Sequence, residues 1–420
     1  MAWEKIVPAR RTAIAAPVGI SIAWIALVLA AAWFTGFDEP YLPFVIGGAF
    51  VFFLRSAPSR WEIYSWLLTS ALLVKVIHLP LVPFWVLRVA SSFAVLGFGA
   101  LLLLGLRAVW SEGKSRSNAL ALLAPALVLI FFIYGCARVL QFTSGVNPLT
   151  DDAWLYAFDG TLGFQPSFLM GRLMYDSVLL TRSVLLTYLS LPFAMAVLCA
   201  WQIPLGETRI KWHMLTVLLL AGAGGWVLYN IVPGTGPIYA FAHDFPTRSI
   251  AYKDLPAFVL QKMSLPTSIP RNAMPSLHVG WALLLWWNSR KFPATLRAGM
   301  LLFLLLTVVA TLGTGQHYLV DLVVSLPFAL TVQAVASYRL PTSRRITAAV
   351  TGGGFVAGWL LLIRFGIRFA LISPVIPWSL ILITVSVSLW LEDWMSRENL
   401  VEPVAGNVPV VMSGLVRSTR

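Results

Sequence analysis

The feature that most constrains this chain is a succession of apolar runs, each approaching the roughly 20 residues a helix needs to cross a bilayer. Twelve candidate helices can be read along the sequence. They cover about 12–34, 41–54, 61–77, 89–106, 118–140, 183–201, 213–232, 273–289, 297–313, 317–338, 347–363 and 370–391. Composition agrees: hydrophobic residues make up 59% of the chain and charged residues 11%, against roughly 25% charged in a soluble protein. The expected fold class is an all-α, polytopic integral membrane protein of about twelve transmembrane helices. The run 41–54 is short for a span and reads as tilted or re-entrant. The first run follows Lys5, Arg10 and Arg11 as a signal peptide would. It is longer than the apolar region of such peptides and reads as a retained span.

The formal net charge of +13 raises the question of a nucleic-acid partner. The basic residues form no stripe, so none is expected. They lie instead in short loops between apolar runs, where they report orientation. With the N-terminus inside, nineteen of the 30 Lys and Arg residues fall on the inner side, Arg107, Arg290, Lys291 and Arg345 among them. Both termini are then cytoplasmic, and the membrane is expected to be the plasma membrane. Cys136 and Cys199 lie inside apolar runs and suggest neither a disulfide framework nor a metal site.

Two long outer segments interrupt the alternation. Residues 141–182 hold Trp154, Leu155, Phe158 and Leu162 at roughly helical spacing, with Asp151, Asp152 and Asp159 between them. This reads as an amphipathic helix lying on the membrane surface. Residues 233–271 are rich in Pro and Gly, and a loop of that length in a compact domain is usually functional or disordered. No internal repeat is visible.

The chemistry concentrates in two stretches. In "RNAMPSLHVGWALLLWW", from Arg271, Pro275 can open a helix with Ser276 and His278 in its first turn. Free N–H groups and the helix dipole make that position favourable for a phosphate. In "TLGTGQHYLVDLVVSLP", from Thr311, His317 and Asp321 are four residues apart on an expected helix and share a face. The carboxylate can fix the imidazole tautomer and leave the other ring nitrogen free to attack. Gly313 and Gly315 allow close backbone approach to a ligand. The intervening hairpin returns His317 to the side of His278. A nucleophile, His317, and a general acid, His278, are thereby expected together, oriented by Asp321. His78 and His213 read equally well as structural, and His243 and Asp244 as solvated loop residues.

The segments "PSLH" and "GQHYLVD" resemble the second and third motifs of the type-2 phosphatidic acid phosphatase superfamily, Pro-Ser-Gly-His and Ser-Arg-x5-His-x3-Asp. Leu277 at the Gly position and the "HYLVD" form are more similar to the inositol phosphorylceramide synthase branch. So are the segment with Asp151 and Asp159, and "YNIVPGTGPIYAF" at 229–241. The resemblance covers about 118–340 and implies a six-helix catalytic core. It also implies a membrane lipid phosphate as substrate and a lipid alcohol or water as acceptor, with no cofactor. Flanking it are an N-terminal helical group (1–117), two C-terminal helices (341–391) and a cytoplasmic tail (392–420). The sequence departs from the family at its cationic clamp: the Ser-Arg pair falls on Ala310 and Thr311, and the Lys-x6-Arg-Pro motif is absent. The expected replacement is Arg271, with Lys253, Lys262 and Arg248 as further cations. Ser276 and a backbone nest at Gly234, Gly236 and Gly315 are added as phosphate donors.

Two other classes compete. Twelve helices with both ends inside is a common transporter count, but transporters usually show repeats and helices broken near the midplane. A metal site built from His243, His278, His317, Asp244 and Asp321 matches no known ligand spacing.

Overall fold

The computed structural model describes residues 40–76, 85–203, 213–338 and 340–397. The expected helix 12–34, His78 and the tail beyond 397 lie outside the described residues. In hydrocarbon every backbone N–H and C=O must be satisfied within the segment, so apolar runs become helices. The long elements are α1 (Leu42–Arg55), α2 (Arg60–Val76), α3 (Trp85–Trp110) and α4 (Gly113–Val146), then, after a gap, α7 (Val178–Leu189), α8 (Leu191–Gln202) and α9 (His213–Ile231). They continue with α11 (Leu277–Asn288), α12 (Ala294–Gly313), α13 (Leu319–Ala336), α14 (Thr342–Phe365) and α16 (Val375–Ser396), the last preceded by the single turn α15 (Ile367–Ala370).

Among the described residues seven helices are long and apolar enough to span a membrane: α3, α4, α9, α12, α13, α14 and α16. An eighth span forms if α7 and α8, bent by 50° at their junction, are counted as one. The expected count of twelve is not confirmed: the first of the twelve lies outside the described residues, and others fall short of a span. The 14-residue α1 is too short, and α2 carries Arg60, Glu62 and Lys75. Residues 273–276 stay irregular, which leaves α11 only 12 residues. Pro192 breaks the run 183–201, since it has no N–H for the carbonyl one turn earlier.

Small residues set the packing of the first helices. A side chain at Gly97 would collide with the Ile46 carbonyl, and one at Gly48 with Ala196, so α1 lies directly against α3 and α8. Such close backbone approach is how helices associate where lipid removes the hydrophobic drive. At one end of the bundle Arg107 grips the Glu62 carboxylate with two nitrogens and donates to the Ser56 carbonyl and hydroxyl. Arg290 and Glu392 pair at the same end.

The other end carries a protein cover. The 34-residue α4 rises about 51 Å, more than a bilayer core requires, and its last turn enters this cover. The cover contains β1 (Leu149–Thr150) paired antiparallel with β2 (Met263–Ser264), α5 (Asp152–Gly160), α6 (Pro166–Tyr175) and the short α10 (Pro237–Ala240). The expected surface helix forms as α5, but it is enclosed by protein. Eight of its nine residues are buried, including Asp152 and Asp159. The acidic residues point inward because backbone donors of other segments await them there.

Candidate active site

Two junctions, 271–276 before α11 and 313–318 before α13, meet beneath this cover. The Ser276 N–H donates to the Asp321 carbonyl at 3.2 Å, and the Ser325 hydroxyl to the Ser276 carbonyl at 2.9 Å. His317 is 3% exposed, so its environment is set by protein. Its Nδ1 lies 2.8 Å from the Ala273 carbonyl and 3.5 Å from Asp321 Oδ2. A carbonyl only accepts, so Nδ1 carries the proton and Nε2 is left with its lone pair.

This corrects the expected geometry in one respect. His317 does not share a helical face with Asp321, because α13 begins two residues after it. Tyr318 is the N-cap, and Asp321 folds back to accept the Tyr318 N–H at 2.8 Å. That capping turn is what brings the carboxylate to the imidazole. Asp321 Oδ1 is buried and has no hydrogen-bond partner among the described residues.

The turn holding His317 is braced by α5. Asp159 accepts from the N–H groups of Leu319 (2.6 Å) and Val320 (3.1 Å), capping α13 from outside. Asp152, two helical turns earlier on the same face of α5, accepts from the Tyr318 hydroxyl at 2.9 Å. Burial pushes the Asp159 carboxyl up to about 8, against the pull of the Leu319 N–H. Ser167 on α6 donates to the His317 carbonyl at 2.8 Å. These supports escaped the sequence reading, which treated the aspartates as surface residues. Their seven-residue spacing on one short apolar helix was the available signal.

His278 falls in the first turn of α11 as expected, but the helix opens at Leu277 and not at Pro275, which leaves Ser276 outside it as the N-cap. The His278 ring stacks on Tyr188 from α7, and it lies within electrostatic reach of His317. The free donors expected at this helix start are partly engaged. Leu277 N–H serves the Tyr229 hydroxyl, and the Ser276 hydroxyl faces Val279 N–H at 3.5 Å.

The expected phosphate ligands fare differently. Arg271 is fully buried, and all five of its guanidinium N–H groups have carbonyl partners: Asn147, Pro266, Ile269, Pro148 and Leu265. It staples the cover together and has no donor left for a phosphate. Lys262 lies 3.6 Å from Asp151, which also pairs with Arg364. Lys253 and Arg248 are exposed on the loop. The Gly236 N–H is taken by Asp152, which also accepts from Thr235 N–H, so the nest already holds an internal carboxylate. Gly234 packs against Leu155 and Ala273. Gly315 has φ +70°, and its carbonyl accepts from Ile238, fastening the 234–238 loop to the turn before His317. His243 and Asp244 are exposed, and no group of three or more His, Cys, Asp or Glu among the described residues is gathered around a metal-sized point.

The described residues thus form a bundle of membrane-length helices that holds a buried histidine, with Nδ1 on a backbone carbonyl, and a second histidine at the start of α11. Residues 153–335, from α5 to the last turn of α13, match the family model described as PAP2 superfamily. The match supports that superfamily for the stretch holding both histidines and points to a lipid phosphatase or phosphotransferase. It does not reach the inositol phosphorylceramide synthase branch. No curated protein and no solved structure matches the chain.

Proposed function

We propose that this protein transfers a phosphoryl group from a membrane lipid through a phosphohistidine on His317. The observation that carries the reading is the Nδ1 contact with the Ala273 carbonyl, which leaves Nε2 as the nucleophile. In the first step Nε2 bonds to phosphorus, the bond from phosphorus to the leaving oxygen breaks, and His278 gives that oxygen its proton. The ring of His317 becomes cationic, and Asp321 is the counter-charge. In the second step an alcohol or water gives a proton to His278 and its oxygen bonds to phosphorus. The bond to Nε2 then breaks.

On the resemblance of its motifs to the inositol phosphorylceramide synthase branch, the preferred reaction moves a phosphorylated headgroup, such as phosphoinositol, to a lipid alcohol. Hydrolysis of a lipid phosphate is the second reading, differing only in the acceptor. The basic-residue bias supports a covered end that faces outward. Purified protein incubated with labelled phospholipids, with and without lipid alcohols, tests the proposal. A new phospholipid marks transfer and inorganic phosphate marks hydrolysis. Acid-labile, base-stable label should remain on the wild-type chain and be absent from His317→Ala. Undiminished turnover by that variant would refute the mechanism.

A further inference from the structure

The matched stretch begins at residue 153, yet a residue well before it reaches His278. Tyr41, immediately ahead of α1, has its ring centroid 5.5 Å from that of His278, at an interplanar angle of 45°. Tyr188 lies flat on the imidazole, with centroids 3.8 Å apart and planes 13° from parallel. The side chains of Tyr41 and Tyr188 share a hydrogen bond, with ring centroids 6.1 Å apart. The three rings come from three elements and form one aromatic unit.

Each ring is held by a rigid part of the fold. Tyr188 sits at the α7–α8 junction, where Pro192 supplies no N–H to its carbonyl and the axis turns by 50°. Tyr41 is fixed by α1, which Gly97 and Gly48 allow to lie directly on α3 and α8. An imidazole otherwise rotates broadly about its outer side-chain bond. A ring stacked face to face leaves it only its own plane, so its nitrogens are confined to that plane. A general acid needs such confinement to meet a leaving oxygen within hydrogen-bond reach.

We propose that Tyr188 and Tyr41 are positioning residues for His278, and that the N-terminal helices thereby complete the active site. The inference rests on the role of His278 proposed above. It assigns a purpose to α1, which otherwise merely flanks the region matched to the superfamily.

The test compares two substrates. An aryl phosphate has a leaving group that needs little protonation, whereas a lipid alkyl phosphate depends on the general acid. Tyr188→Leu should lower kcat on the alkyl substrate by ~10-fold or more and on the aryl substrate by less than ~3-fold, with KM held. Tyr188→Phe keeps the stack and should stay within ~3-fold of wild type on both substrates. Tyr41→Leu should show the same selective pattern, more weakly. Size-exclusion profiles in detergent check folding, and Tyr188→Met replaces the Leu variant if that one aggregates. Equal losses on both substrates, or no loss on either, would overturn the proposal. A wild-type protein inactive on both and carrying no phosphohistidine would instead refute the functional reading on which it rests.

Discussion

Replacing Asp321 by Asn isolates the carboxylate's charge from its shape. The Asn carbonyl can still accept the Tyr318 N–H, so the capping turn and the fold should survive. The tautomer of His317 should also survive, because the nearer acceptor for Nδ1 is the Ala273 carbonyl at 2.8 Å. What disappears is the counter-charge 3.5 Å from the ring as it becomes cationic. A full charge pair at that separation is worth about 5 kcal/mol at an effective dielectric of about 20. With about half the charge developed in the transition state, the loss is about 2.4 kcal/mol, or roughly 50-fold in kcat. Single-turnover formation of the phosphoenzyme, followed with a labelled lipid phosphate, measures the step directly. A loss near 10⁴-fold, as when a triad carboxylate alone sets the tautomer, would show that Ala273 does not hold the proton. A loss below about 3-fold would show that no positive charge develops beside Asp321.

Arg271→Lys should lower the thermal midpoint sharply, since an ammonium cannot serve five carbonyls and each buried acceptor left bare costs about 1–3 kcal/mol. Activity per folded molecule should stay near wild type, and a selective loss of turnover without a melting change would contradict the staple role. The Asp159 carboxyl is raised to about 8 by burial, so its contribution to stability is present below the ordinary carboxylate range and is lost as pH rises through about 8. The melting temperature should therefore fall between pH 5 and pH 8, with a shallower slope in Asp159→Asn; identical slopes would refute this assignment. Single cysteines at Ala257 and Lys291 test orientation. An impermeant reagent on intact cells should label the first and spare the second, and the reverse pattern would invert the topology.

The helices and the pair His278–His317 were legible because periodicity and motif spacing are local properties. The breaks were harder to see. Pro192 was visible, but whether a proline bends a span or ends it depends on neighbours. Arg271 illustrates the limit best. Its distance of seven residues from His278 suggested a phosphate ligand, yet its partners come from 147–148 and 265–269. Those carbonyls become neighbours only when the end of α4 meets the loop before α11. Asp159 likewise caps a helix that starts 160 residues later, and Tyr41 touches a histidine 237 positions away along the sequence. Local reading brings out the two histidines and misses the groups that hold them.

The brevity of α11 bears on how a lipid reaches the reaction. Twelve residues rise about 18 Å, against a hydrocarbon thickness of about 30 Å. Were α11 upright with its far end at one interface, its histidine end would lie about 12 Å short of the other. The irregular residues 271–276 would then lie within the bilayer, where backbone of this kind is tolerated only when enclosed by protein. Arg271 and the α5 aspartates provide the enclosure. Under the function proposed above, a phospholipid donor would then have to sink its phosphate below the plane of its neighbours, or the bilayer to pinch to meet it. Acyl-chain length, a property of the surrounding membrane and not of the bound headgroup, then sets the cost of encounter, and thin bilayers would favour it.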